Sequence, residues 1–276
     1  MQVVICAMAK NEHLYINEWV NHYLKLGFDK IYIYDNDDLD VPNDKLIENI
    51  LPKSDKIEII DIRGQKKEHL QHDIYTSFYN SHKFDWCLFC DIDEFLFGID
   101  NIHSFLEQKK FAFAKQIRVK WKLFGDDNII ERDIIKPVCD SFFHEIKSSL
   151  MRDLKTKGNL EIQGKFFVRG CMPNVVIRSP HFASFLTRNN VIPSVLPSGK
   201  PCYSKVVIYE NYSQESVFLH HYMTKSLSEF VNQKLNRNDA VYNQQIKLDY
   251  FWRINAKTPQ KIEWLKERGL LWVLRY

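Results

Sequence analysis

The sequence predicts an α/β fold: a mixed, mainly parallel sheet flanked by helices, followed by a helical C-terminal extension. Over the first third of the chain, short apolar or alternating runs take turns with segments of helical period, giving β-α-β-α-β-α-β. Strands joined through helices lie parallel, with the helices on the sheet faces. The chain also lacks internal repeats and Gly/Ser-rich linkers, which favours one compact unit.

Residues 2–8 are an apolar run and read as a buried first strand. From Asn11 the pattern turns helical, with Tyr15, Trp19, Val20, Tyr23 and Leu24 on one face and Gly27 as the stop. "KIYIYDND" alternates as a strand and ends in acids. "KLIENIL" is a short helix halted near Pro52, "KIEIIDI" a third strand, and residues 67–82 a longer helix. Trp86–Cys90 is a fourth strand, apolar on both faces. Further on, "FAKQIRVKWKLFG" reads as a strand running into a loop and residues 140–152 as a helix. Short strands are expected between 162 and 185 and over 205–221, and the tail is helical from about Ser226 through "KIEWLKERGLLWVLRY". The boundaries expected are a main domain over 1–223, with halves at 1–97 and 98–223, and a packed extension over 224–276.

Charge and cysteine usage narrow the function. A net charge of +3 over 276 residues is too small for a dedicated nucleic-acid binder. The six cysteines are scattered. Cys87 and Cys90 form one Cys-x-x-Cys with no second pair, on opposite faces of a strand, so free thiols in a reducing compartment are expected. The first apolar run is too short for a signal segment or a membrane span, and a cytoplasmic location is expected.

Ligands of such sheets bind beyond the carboxyl ends of the strands. Four polar groups fall there: Lys10-Asn11-Glu12, Asp35-Asn36, Asp61 with Arg63, and Asp91 with Asp93. The last pair, in "DIDEF", interrupts an apolar run, where unpaired charge is costly. An EF-hand is excluded, because Phe95 and Leu96 stand where the loop needs a ligand and a glycine. An aspartyl-phosphate phosphatase would carry its pair after the first strand. Two readings stay open: solvated strand-end acids, or a site for a divalent cation and a diphosphate. The nine glycines form neither a dinucleotide fingerprint nor a P-loop.

Four segments in order, "AKNEHLYINEWVNHYLKLGFDKIYIYDND", "DIDEF", "WKLFG" and "HYMTKSLSEF", resemble the glycosyltransferase family 92-like group, also described as glycosyl transferase family 2-like or DUF23-related. The resemblance spans residues 3 to about 237. It implies a GT-A fold, with 1–97 as the nucleotide-sugar-binding half and 98–223 as the acceptor half. It also implies Mn²⁺ or Mg²⁺ on Asp91 and Asp93, with His221 as a further ligand and Asp91 near the donor ribose. Lys10, Asn11 and Glu12 would hold the nucleotide, Asp35 and Asn36 the uracil or ribose, Arg63 and Gln71 the flanks of the donor, and Lys225 the diphosphate. His220 and His221 point opposite ways in a strand, so only one faces the site.

The implied activity is transfer of a hexose, with UDP-galactose as the first donor to consider, to a bacterial lipopolysaccharide or capsule acceptor with inversion. A non-catalytic nucleotide- or sugar-binding module is the alternative. Inversion needs a base, usually a carboxylate. Asp126 and Asp127, in a loop after "WKLFG", and Glu94 are the candidates, with Trp121 placed to stack on a sugar; "GDDN" also reads as an ordinary turn. Asp93→Ala is expected to leave the protein folded, because acids of an empty site repel. Trp252, Trp264 and Trp272, among basic residues, offer either peripheral membrane docking or a helix packed on the main domain.

Overall fold

The computed structural model describes residues 1–146, 164–186, 190–202, 215–235 and 245–270. Its centre is a ten-stranded mixed sheet. The parallel part contains β1 (Val3–Ala9), β2 (Lys30–Asp35), β3 (Ile57–Asp61) and β4 (Trp86–Phe89), side by side in the order β4-β1-β2-β3. The helices between them are α1 (Ile16–Lys25), the short α2 (Ile47–Ile50) and α3 (Leu70–Ser81). The alternation read from the sequence is therefore the observed one.

Side-chain alternation along β1 sorts the core. Val3, Ile5 and Ala7 join the cluster that contains Trp19 and Tyr23 of α1, while Val4 and Cys6 join the one built on Tyr75 and Phe78 of α3. The two helices thus cover opposite faces of the sheet. Cys87 and Cys90 divide in the same way between the clusters, and all six cysteines are free.

Beyond β4 the chain forms β5 (Glu94–Phe97), α3 being followed later by the short α4 (Ile102–Leu106), then β6 (Gln116–Leu123) and β7 (Gly164–Arg169). β7 inserts antiparallel between β4 and β6, which makes the sheet mixed. Next come β8 (Val175–Ser179), β9 (Phe182–Phe185) and β10 (Asn190–Val191), a small separate antiparallel sheet, followed by β11 (Ser194–Val195) and β12 (Pro201–Cys202) at the edge of the main one. β13 (Phe218–His221) pairs parallel with β6 and antiparallel with β5.

The helix expected over 140–152 is not observed where residues are described. A 3-10 turn over Val138–Asp140 gives way to extended chain, and Glu145 bridges Phe124; positions 147–152 lie outside the described residues. Asp127 explains the break, its carboxylate accepting from the backbone N–H of Phe143 at 2.6 Å and of His144 at 3.3 Å. Of the short strands expected over 205–221, β13 is observed; positions 205–214 lie outside the described residues.

The described part of the tail is helical as expected and holds three short helices. Ser226 caps α5 (Leu227–Glu229) through a reciprocal capping box with Glu229, and the helix runs on as a π-helical turn, Phe230–Lys234. α6 (Leu248–Trp252) and α7 (Pro259–Glu267) pack with α5 around a third apolar cluster of Leu227, Phe230, Leu248, Phe251 and Leu265. Trp252 and Trp264 pack against that cluster, and the Trp264 indole donates to Glu131 at 2.9 Å. Trp272 lies outside the described residues. No described helix is long and apolar enough to cross a membrane.

Gly164 begins β7 where a side chain has no room: an added Cβ would sit 2.0 Å from the carbonyl oxygen of Val119. Gly164→Ala is expected to cost about 1–3 kcal/mol through backbone displacement, read as a lower urea midpoint at unchanged m-value.

Candidate active site

In the parallel part of the sheet, β2 and β3 continue from β1 to one side and β4 lies on its other side, so the direction of winding reverses between β1 and β4. Loops diverge at such a point and leave a crevice at the carboxyl ends. The crevice here is a cavity of about 410 Å³, lined among others by Lys10 and Glu12 after β1, Asn36 and Asp38 after β2, and Asp91 and Asp93 after β4.

The Asp91–Glu94 turn is held from behind by α1. The Trp19 indole donates to the carbonyls of Asp91 at 3.1 Å and Glu94 at 3.0 Å, and the Tyr23 hydroxyl donates to that of Glu94 at 3.0 Å. Glu94 turns inward and is fully buried, and one oxygen accepts the Asp91 N–H at 2.9 Å. Burial pushes its carboxyl pKa well up. It braces the turn and does not line the cavity.

Both aspartates meet lysines. Asp91 Oδ1 accepts from the Gln71 amide at 2.9 Å and Oδ2 from Lys165 Nζ at 2.7 Å. Strand register brings Lys165 there: Phe166 pairs antiparallel with Phe89, so Lys165 reaches past the end of β4. Burial alone would lower the Lys165 pKa, but Asp91 and Glu94 outweigh it and hold the ammonium above its ordinary value. Asp93 Oδ2 accepts from Lys234 Nζ at 2.6 Å, and Oδ1 lies 3.4 Å from His221 Nε2. Burial would raise the Asp93 carboxyl; Lys234, His221 and Lys225 hold it well below the usual range.

His221 is the member of the histidine pair that faces the acids. His220, on the opposite side of β13, packs its ring on Phe97 and Phe124. Lys225 adopts a left-handed backbone (φ 55°), which turns its buried side chain over the Tyr15 ring, 3.9 Å from Glu12 and 4.0 Å from Asp93. It stands behind the cavity wall, and burial lowers its pKa.

Other expected residues lie elsewhere. Arg63 and Asp61 pair with each other at 2.9 Å beside the edge strand β3, away from the cavity. Asn11, also left-handed (φ 57°), gives its N–H to Asp37 at 2.6 Å rather than its side chain to the cavity. Asn36 lines the cavity, but its amide donates to the carbonyls of Ile62 at 3.2 Å and Gln65 at 3.0 Å, so it also ties down the wall.

Asp35 lies just beneath and accepts the Asp37 N–H at 3.0 Å. Burial pushes its carboxyl up to about 6 from 3.8. Between those pH values the folded chain holds a proton that the unfolded chain has released, so stability falls as pH rises. Asp35→Asn is therefore expected to flatten the decline in Tm from pH 4 to pH 6 and to give a higher Tm than wild type at pH 7, by calorimetry.

Of the carboxylates expected as bases, Asp126 and Asp127 also do not line the cavity. Asp126 forms a buried ion pair with Lys261 of α7, and Asp127 caps the Phe143–His144 chain. The groups missing from the sequence reading are Lys165, Lys234 and His181. A lone lysine heading the apolar "GKFFV" was a visible signal for the first. The Ser-x-x-Glu box that starts α5 fixes the segment carrying Lys234, and it too was visible. His181 gave none.

The donor set does not fit a divalent ion as arranged. Both Asp91 oxygens and both Asp93 oxygens already face cationic or amide groups, and the described residues contain no cluster of three or more His, Cys, Asp or Glu that could hold a metal.

No protein-family model and no curated protein matches the chain. The family resemblance is thus carried by its four motifs alone. Solved structures with some likeness include S. aureus TarS, at 13% identity over 59% of this chain and 31% of that one, TM-score 0.33. Others are S. aureus TarS 1–349, at 14% identity, 59% and 51% coverage and TM-score 0.32, and the same TarS 1–349 in complex with UDP, at 14%, 59%, 51% and 0.33. The match reaches only about half or less of each of those chains.

Proposed function

We propose that the chain is a glycosyltransferase of GT-A type that binds a nucleotide-sugar donor in the cavity between β1 and β4. The observation that carries this reading is the placement of Asp91, Asp93, Lys165 and Lys234 together at the reversal point of the sheet, where a nucleotide and its diphosphate would be received. The four-motif resemblance to family 92-like enzymes supports the same assignment. A uridine diphosphate hexose, with UDP-galactose first, is the donor class to test, and a surface glycan is the acceptor class.

In a direct displacement, the acceptor hydroxyl oxygen bonds to the anomeric carbon as the bond to the diphosphate oxygen breaks. The electron pair leaves with the diphosphate, where ammonium groups stabilise it, and the hydroxyl proton passes to a base. His181 is the group we assign to receive it. Its Nδ1 lies 3.0 Å from the Gly164 carbonyl, which can only accept, so Nδ1 carries the hydrogen and Nε2 the lone pair. Burial and the neighbouring Lys165 lower its pKa to about 3, so the ring is neutral at pH 7. An anionic donor beside Lys165 would raise its basicity. Trp121, its edge neighbour at 5.2 Å between centroids, supplies an aromatic wall suited to a sugar face.

A thermal-shift panel of nucleotides and nucleotide sugars tests the reading. A ligand at 100 times its Kd adds about 2.7 kcal/mol, so stabilisation by UDP and a UDP-sugar is expected. A flat panel on folded protein would reject it. Peripheral attachment to a membrane bearing a lipid-linked acceptor belongs to the same proposal, and liposome co-sedimentation checks it.

A further inference from the structure

We infer that this site neutralises a diphosphate with lysine ammonium groups in the place where a divalent cation would be expected. The inference rests on the donor-binding reading above and adds the means by which the anion is held. Lys165 Nζ sits 2.7 Å from Asp91 Oδ2, and Lys234 Nζ sits 2.6 Å from Asp93 Oδ2. These are the oxygens that a cation bridging the two aspartates to a phosphate would need. A Mg²⁺ or Mn²⁺ ion at its ordinary oxygen distance of about 2.1 Å would share those oxygens with ammonium groups of the same sign.

Neither lysine is a stray surface chain that could swing out at no cost. Lys165 is 1% exposed and Lys234 9%. Lys234 is fixed at a second point, donating to the Met223 carbonyl at 2.7 Å. Lys225 adds a third buried ammonium 4.0 Å from Asp93, and no hydrogen-bond acceptor meets its Nζ.

The charge on the cavity wall agrees. Five lysines (Lys10, Lys66, Lys67, Lys165, Lys234) face four carboxylates (Glu12, Asp38, Asp91, Asp93), before Lys225 behind the wall is added. A carboxylate-rich metal site would carry the opposite excess. The cavity wall thus carries a small cationic excess, which favours an anion.

An ammonium group has three N–H donors. Lys165 can keep one on Asp91 and Lys234 can keep two, on Asp93 and the Met223 carbonyl, while the remaining hydrogens face phosphate oxygens. Asp91 and Asp93 then act as positioning residues that aim the lysines, and His221 completes the surroundings of Asp93.

The test is isothermal titration of UDP into the full chain, once with EDTA and once with excess MnCl₂. Equal affinity within about threefold, a difference near 0.6 kcal/mol or less, is the expected result. Lys234→Met should weaken UDP binding in EDTA at least about tenfold without changing the wild-type indifference to Mn²⁺. If that variant does not fold, the wild-type comparison decides alone. Binding that requires Mn²⁺ and vanishes with EDTA would overturn the lysine proposal and leave the donor site standing. No binding of UDP in either buffer would overturn both.

Discussion

Asp93→Ala is expected to destabilise the protein by about 3–5 kcal/mol, the penalty for removing one partner of a buried ion pair. The sequence alone suggests the reverse, since two empty-site acids should repel. In the fold, Asp93 instead sits among Lys234, His221 and Lys225, and it is the carboxylate that makes their burial tolerable. Its removal leaves the Lys234 ammonium in a buried pocket without its nearest counter-charge and leaves Lys225 with Glu12 alone. Asp93→Asn keeps the shape and one acceptor, so a smaller loss is expected from it. Urea unfolding at pH 7 separates the two variants, and equal stability of wild type and Asp93→Ala would show that the lysines find other partners. The pH dependence gives a second check. Because the Asp93 pKa is depressed in the fold, its contribution is complete above the unfolded value of about 3.8 and is lost as pH falls toward the depressed one. The gap between wild type and Asp93→Asn should therefore narrow in acid.

Lys261→Ala is expected to cost a similar amount, about 3–5 kcal/mol, while leaving donor affinity unchanged in the folded fraction. Lys261 is fully buried, forms an ion pair with Asp126, and donates to the Ala256 carbonyl at 2.8 Å. Asn255 strengthens the same joint: its side-chain oxygen accepts the Asp126 N–H at 2.8 Å and its amide donates to the Thr224 hydroxyl at 3.1 Å. The joint fastens the C-terminal helices to the loop after β6, next to the segment that carries Lys225. Asp126 is a structural anchor in this account, and Asp126→Asn should lower Tm far more than it lowers turnover per folded molecule. Normal stability with turnover reduced a hundredfold or more would restore it as a base.

The parallel half of the sheet was legible because period and punctuation agree there. Alternating runs end in acids or turns, and α1 shows its Trp19–Tyr23 face plainly. What remained hidden depends on contacts between distant segments. Nothing local in "GKFFVR" says that β7 runs antiparallel beside β4, yet that register alone brings Lys165 to Asp91, 74 residues away. Lys234 meets Asp93 across 141 residues by the same kind of closure. The helix predicted over 140–152 failed in its described part because Asp127 captures two backbone N–H groups that a helix would have used internally. The surroundings of Asp126 and Asp127 were hidden for a related reason: a polar turn such as "GDDN" gives no sign of whether its acids face a cavity or a buried lysine from the far end of the chain.

A nucleoside diphosphate is expected to bind at the carboxyl ends of β1, β2 and β4. Hydrogen–deuterium exchange of the full chain, with and without saturating UDP, tests it most directly. Added protection is expected in peptides covering residues 8–12, 36–38 and 91–93 and around Lys165 and Lys234, with the α7 peptide over 259–267 unchanged. Protection confined to other surfaces, or none under conditions in which UDP is shown to be bound, would contradict it.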